Sequence, residues 1–186
     1  MRGKLAVLFC FVLLLSGCRN SDASLNKALS MRNKLQEGNG CSFSATVQAD
    51  YGEKIYIFKM DCQTDHAGDL TFTVIEPTTL CGITGKVSAS GGGITFDDKV
   101  LAFPTIADGQ VSPVSAPWLF VKTLRSGYMK GTAELENGYE LSIDDSYEEE
   151  TLHLIVDVIG ETPKSAEIFW QGRRVLTLRI EEFTYL

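Results

Sequence analysis

A chain of 186 residues with 44% hydrophobic and 22% charged side chains has the composition of a globular domain, not of a disordered or fibrous one. Its formal charge of −7 argues against nucleic acid as a partner and against attraction of the whole domain to anionic surfaces. The cysteines form no Cys-x-x-Cys pair and the two histidines, His66 and His153, show no ligand spacing, so neither a redox enzyme nor a metal centre is expected.

The first seventeen residues read as an export leader. Arg2 and Lys4 supply the positive start, Leu5 to Leu15 is a short apolar run, and Ser16 and Gly17 precede Cys18. Leu15-Ser16-Gly17-Cys18 resembles the lipobox of bacterial lipoproteins at all four positions. The resemblance implies a diacylglyceryl group on the Cys18 thiol, cleavage just before it, and an extracytoplasmic protein tethered to the membrane by lipid. Two acyl chains suffice for stable anchoring where one is marginal. The expected division is a signal peptide over 1–17, a tether over 18–24 and a single domain over 25–186. Loss of Arg2 and Lys4 with the leader takes the charge from −7 to −9.

After the tether, Leu25, Ala28, Leu29, Arg32 and Leu35 fall on one side of a helix that Gly38-Asn39-Gly40 ends. That side either lies on the membrane or packs on the domain. From Cys41 the period becomes two. Phe43, Ala45, Val47 and Ala49 alternate with polar residues, and after a turn at Asp50–Glu53 Tyr56, Phe58 and Met60 alternate with Ile55, Ile57, Lys59 and Asp61. A hairpin centred between Tyr51 and Gly52 pairs Val47 with Tyr56, Ala45 with Phe58, Phe43 with Met60 and Cys41 with Cys62.

Further strands are predicted over Asp69–Glu76, Gly82–Ala89, Ile94–Phe96 and Val100–Phe103, with Gly91-Gly92-Gly93 and Asp97-Asp98 as turns. Pro104 to Pro113 reads as a loop. Ala116-Pro117-Trp118 opens a helix that ends near Gly127, with Pro117, Phe120, Val121, Leu124 and Tyr128 as its stripe. Strands follow over Lys130–Leu135, Tyr139–Ile143, Leu152–Val158, Ser165–Trp170 and Arg174–Thr184. The sum is a mostly β (α+β) domain of about ten antiparallel strands with an N-terminal and a mid-chain helix.

That order of elements resembles the lipoprotein-carrier family, the periplasmic carriers and outer-membrane receptors of lipoproteins. The local match is Glu76-Pro77-Thr78-Thr79-Leu80-Cys81-Gly82-Ile83, followed by Gly93-Ile94-Thr95-Phe96-Asp97-Asp98, and it is similar to Gram-positive members such as the clostridial spore-germination lipoprotein. The resemblance implies a curved half-barrel whose hollow is covered by the helices. It also implies one of two non-enzymatic roles: binding of a lipid or a lipoprotein acyl chain, or docking of a cell-envelope or spore-cortex enzyme. The carriers keep an arginine on an early strand that holds the covering helices closed. Ser42, Ser44, Thr46 and Gln48 stand on the first strand here, so that latch is missing from its usual place.

The candidate ligand-contacting residues are Phe43, Val47, Tyr56, Phe58, Phe72, Val74, Trp118, Phe120 and Leu124. They either line an apolar hollow or form a packed core. Cys41 and Cys62 are expected to form a disulfide worth about 3 kcal/mol in the chain-entropy model, the other reading being two buried thiols. Cys81 reads as a buried structural thiol, the other readings being a reactive thiol or a disulfide swap partner. The acidic run Asp144–Glu150 reads as a solvated hairpin tip rather than a calcium loop. With no Gly-x-Ser-x-Gly elbow and no paired carboxylates, no enzymatic activity and no cofactor are expected.

Overall fold

In the computed structural model, residues 20–89, 91–96, 99–100, 107–109 and 111–186 are described. The leader, Cys18, the Asp97-Asp98 turn and most of the predicted strand Val100–Phe103 lie outside them. The chain folds as α1 (Asn20–Glu37), β1 (Cys41–Asp50), β2 (Ile55–Thr64), β3 (Leu70–Glu76), β4 (Thr84–Ser88), β5 (Gly91–Phe96) and β6 (Lys99–Val100). A short 3-10 turn (Pro113–Ser115) then leads into α2 (Ala116–Ser126). It finishes with β7 (Tyr128–Leu135), β8 (Gly138–Asp144), β9 (His153–Ile159), β10 (Thr162–Trp170) and β11 (Arg173–Tyr185). The glycine triplet predicted as a turn belongs to β5, paired with Lys86, Val87 and Ser88 of β4.

All eleven strands join one curved antiparallel sheet in the order β6-β5-β4-β3-β2-β1-β11-β10-β9-β8-β7. Its outer strands, β6 and β7, do not meet, so the sheet is an open half-barrel. One face is apolar, because strand side chains alternate. Cys41, Phe43, Ala45, Val47 and Ala49 of β1 are buried, while Ser42, Ser44 and Thr46 between them are partly exposed. The inner face is continued by Leu70, Phe72 and Val74 of β3, Leu141 and Ile143 of β8, Leu154 and Val156 of β9, and Leu178 and Ile180 of β11.

Helix α2 packs into that face. Ala116, Pro117, Leu119, Phe120, Val121, Thr123 and Leu124 are all buried, and Trp118, Lys122, Arg125 and Ser126 are the residues that reach solvent. Pro117 suits the first turn, where its missing N–H is no loss. Helix α1 lies beside α2 and against β7 and β8. Its buried side is Ser24, Ala28, Met31 and Leu35. Of the predicted stripe, Ala28 and Leu35 are on this side, whereas Leu25 and Leu29 are exposed, at 37% and 41%. Gly40 joins α1 to β1 with φ of +121°, and a Cβ there would lie 2.0 Å from the Thr64 carbonyl oxygen, so only glycine fits.

The β1–β2 hairpin is shifted by two residues from its predicted register. Val47 pairs with Phe58, Ala45 with Met60, Phe43 with Cys62 and Ala49 with Tyr56. The cause is a four-residue loop, Tyr51–Lys54, in place of a two-residue turn. It is closed by Tyr51 N–H donating to the Lys54 carbonyl at 2.9 Å and Gly52 N–H donating to Asp50 Oδ1 at 2.6 Å. An even shift leaves every side chain on its predicted face.

Candidate functional site

The predicted ligand-contacting residues mostly converge. Phe43, Val47, Phe58, Phe72 and Val74 lie on the inner face of β1, β2 and β3, and Phe120 and Leu124 join the same buried cluster from α2. Phe43 is the pivot. Its ring meets the edge of Phe120 at 5.9 Å between centroids and stacks on Phe183 at 5.7 Å. All seven are at most 3% exposed, so in this state α2 fills the hollow as packed core. Trp118 sits at the margin, partly buried, with Lys122 Nζ 5.6 Å from its ring centroid. Tyr56 does not belong to the group. The two-residue shift carries it past Val47 to the hairpin tip, where it is 51% exposed and meets Tyr51 edge to face.

The cysteines also depart from expectation. Cys41 and Cys62 are both buried and free. Cys41 lies opposite Thr64, whose Oγ1 accepts from the Cys41 N–H at 2.9 Å, and this makes Cys62 its diagonal neighbour. Diagonal partners sit roughly 7–8 Å apart, beyond the roughly 4.4–6.8 Å that a disulfide bridges. Burial raises the Cys41 thiol to about 11, and burial pushes Cys62 higher, so both stay protonated and unreactive at neutral pH. Cys81, expected inside, is exposed in the β3–β4 turn, where the following Gly82 takes φ of +87°.

Sequence reasoning missed what holds α2 in place. Arg32, half-buried on α1, donates from Nε to the Leu124 carbonyl at 2.9 Å and from Nη2 to the Gly127 carbonyl at 2.7 Å. Gln36 Nε2 donates to the Arg125 carbonyl at 2.6 Å. These are the carbonyls that the end of a helix leaves without partners, and a cation there also opposes the helix dipole. An arginine on α1, not on the first strand, therefore ties the two helices together. Its signal in sequence was Arg32 on an otherwise apolar helical stripe. Around α2 the polar atoms are less well served. Ser112 Oγ, Thr123 Oγ1 and Arg125 Nη1 are the buried side-chain polar atoms without a hydrogen-bond partner among the described residues.

Two other groupings have less chemistry than their composition suggests. Ser142, His153 and Asp144 form a line, with Ser142 Oγ to His153 Nε2 at 3.5 Å and His153 Nδ1 to Asp144 Oδ1 at 2.7 Å. Ser142 stands inside β8, paired on both sides by β7 and β9, so its backbone N–H serves the ladder and not an oxyanion. Asp144 is held further by Lys130 Nζ at 3.2 Å. Asp145 accepts from Thr151 Oγ1 and from Leu152 N–H, both at 2.8 Å. The acidic run therefore starts as sheet structure, and only Glu148, Glu149 and Glu150 form a solvated tip. Among the described residues no group of three or more His, Cys, Asp or Glu is placed to hold a metal ion. A groove of about 780 Å³ lies on the polar outer face, where Ser44, Asp61, Thr71, Thr73 and Lys86 line it.

No family model matches the chain, and no curated protein does. Solved structures of similar fold include an uncharacterized conserved protein from Thermus thermophilus, with 13% identity, a TM-score of 0.47 and 88% of each chain covered. A LolA superfamily protein from Nitrosomonas europaea has 10% identity and a TM-score of 0.46 over 84% of this chain and 92% of its own. The Mycobacterium tuberculosis lipoprotein LppX has 11% identity and a TM-score of 0.40 over 87% and 93%. No described helix is long and apolar enough to cross a membrane.

Proposed function

We propose that this protein is an extracytoplasmic lipoprotein, tethered through Cys18, whose half-barrel binds an acyl chain beneath α2 without catalysing a reaction. The observation that carries the reading is the contact between α2 and the inner face: Phe120 and Leu124 lie in one apolar cluster with Phe43, Phe58 and Phe72. An acyl chain replaces such contacts at little cost, because burial is non-directional and contributes about 25 cal/mol per Å². The three unpartnered polar atoms support it, since all lie on α2 and its approach, the element that has to move. Each such atom costs about 1–3 kcal/mol in the closed state. The structure then represents the ligand-free form, latched by Arg32. Native mass spectrometry of the protein taken gently from its host tests this. Co-purified lipid, lost on delipidation and regained from added fatty acid, is the expected result. A protein that is always lipid-free and takes up none refutes it.

A second reading is favoured by a different observation. Ile55, Tyr56 and Ile57, at the start of β2, are exposed at 58%, 51% and 58%. Adjacent exposed apolar side chains on a strand offer a docking surface, and an extracytoplasmic cell-envelope or spore-cortex enzyme is the partner class proposed. A pull-down with the tethered protein that recovers such an enzyme, and loses it on Ile57→Lys, supports docking. Recovery unchanged by the substitution counts against it.

A further inference from the structure

The tether predicted over residues 18–24 is largely helix. α1 begins at Asn20, only two residues after Cys18. Two residues span at most about 7 Å, so an anchor at Cys18 holds the start of α1 against the bilayer surface. The exposed side of α1 matches that neighbour. Leu25 and Leu29, one turn apart and 37% and 41% exposed, point away from the buried side. At about 1.5 Å per residue they stand about 8 and 14 Å along the helix from Asn20.

Charge does not oppose the contact. Residues 23–36 contain no acidic residue, while Arg32 is taken up by the Leu124 and Gly127 carbonyls and Lys34 pairs with Glu161 on the opposite flank.

Resting on the acylation of Cys18 proposed above, we infer that α1 is a second membrane contact: its exposed flank lies along the phospholipid surface, with Leu25 and Leu29 in the interface. The occupant is the bilayer that holds the protein's own anchor, which the two-residue link keeps beside the first turns of α1. One helix then has two sides in use. Met31 and Leu35 pack on the domain while Leu25 and Leu29 meet lipid, and the sheet is fixed in orientation rather than swinging on a leash.

The test uses the full acylated lipoprotein in vesicles of brominated phosphatidylcholine with phosphatidylglycerol. Leu29→Trp places a reporter on the contact, and Tyr56→Trp places one at the β1–β2 hairpin, where Tyr56 is 51% exposed and the ten-residue strand β1 separates it from the end of α1. Quenching of the Leu29→Trp protein at least twofold stronger than that of Tyr56→Trp is expected. Equal quenching in protein that floats with the vesicles overturns the inference while leaving the anchor intact. Protein that carries no acyl group and does not float overturns both. In a second arm, Leu25→Asp/Leu29→Asp changes only exposed positions, and it is expected to speed desorption of the acylated protein tenfold or more. An unchanged rate with the fold intact also overturns the inference.

Discussion

Arg32 Nη2 donates to the Gly127 carbonyl at 2.7 Å, linking two residues 95 positions apart. Burial lowers the Arg32 pKa, yet the group stays a cation and stands at the negative end of α2. Arg32→Met keeps the stem and removes both donors to Leu124 and Gly127. The variant is expected to lose about 2 kcal/mol in urea unfolding and to bind fatty acid more readily, since the closed form is the one destabilised. Unchanged stability and uptake contradict the latch.

Phe120 fills the space that the ligand is proposed to take. Phe120→Ala opens a cavity against Phe43 and is expected to cost about 3–5 kcal/mol. A dry core change stays at that value. With a binding hollow, saturating fatty acid restores part of the loss, because a ligand of the folded state stabilises it by mass action. The melting temperature with and without fatty acid reads the difference.

The register of the first hairpin decides the cysteine chemistry. In mature protein with Cys18→Ser, Cys81 is expected to react with maleimide at once, and Cys41 and Cys62 only after unfolding. Mass spectrometry is expected to count three thiols. A mass two hydrogens lighter, with only Cys81 reactive in denaturant, reinstates the disulfide.

What the sequence showed was the alternation, and the alternation was enough for faces. β1, β2 and β3 read correctly as inward Phe43, Phe58 and Phe72 because a period of two survives an even register error. Register itself depended on the conformation of Tyr51–Lys54, where Gly52 supplies a φ of +87° that composition does not announce. That is why Tyr56 and the cysteine pair were misplaced. On α1 the predicted stripe held Ala28 and Leu35, which are buried, together with Leu25 and Leu29, which packing leaves exposed in favour of Ser24 and Met31. Arg32 stood out in that stripe, but its partners did not, because they are backbone carbonyls 92 and 95 residues away.

The ion pair between β2 and β11 gives a pH signature. Glu181 lies below the usual carboxylate range, first through the hydrogen bond from Lys59 at 2.9 Å and then through that from Arg179. Its contribution to stability is present above an ordinary glutamate pKa of about 4.3 and is lost as pH falls through the lowered folded value. Lys59 is raised by the hydrogen bond to Glu181, so its contribution is present below an ordinary lysine pKa of about 10.4 and lost as pH rises through the raised folded value. The stability gap between wild type and Glu181→Gln is therefore expected to be widest between about pH 5 and 10 and to close on both sides. A gap independent of pH contradicts the assignment.

Whether the hollow beneath α2 opens to an acyl chain is tested most directly by cross-linking with a diazirine-bearing fatty acid, followed by mapping of the modified peptides. The account predicts label on Phe43, Phe58 or Phe72 of the inner face and on α2 near Phe120, with yield increased by Arg32→Met. Label confined to exposed positions such as Ile55–Ile57 and Leu25, in wild type and variant alike, contradicts it.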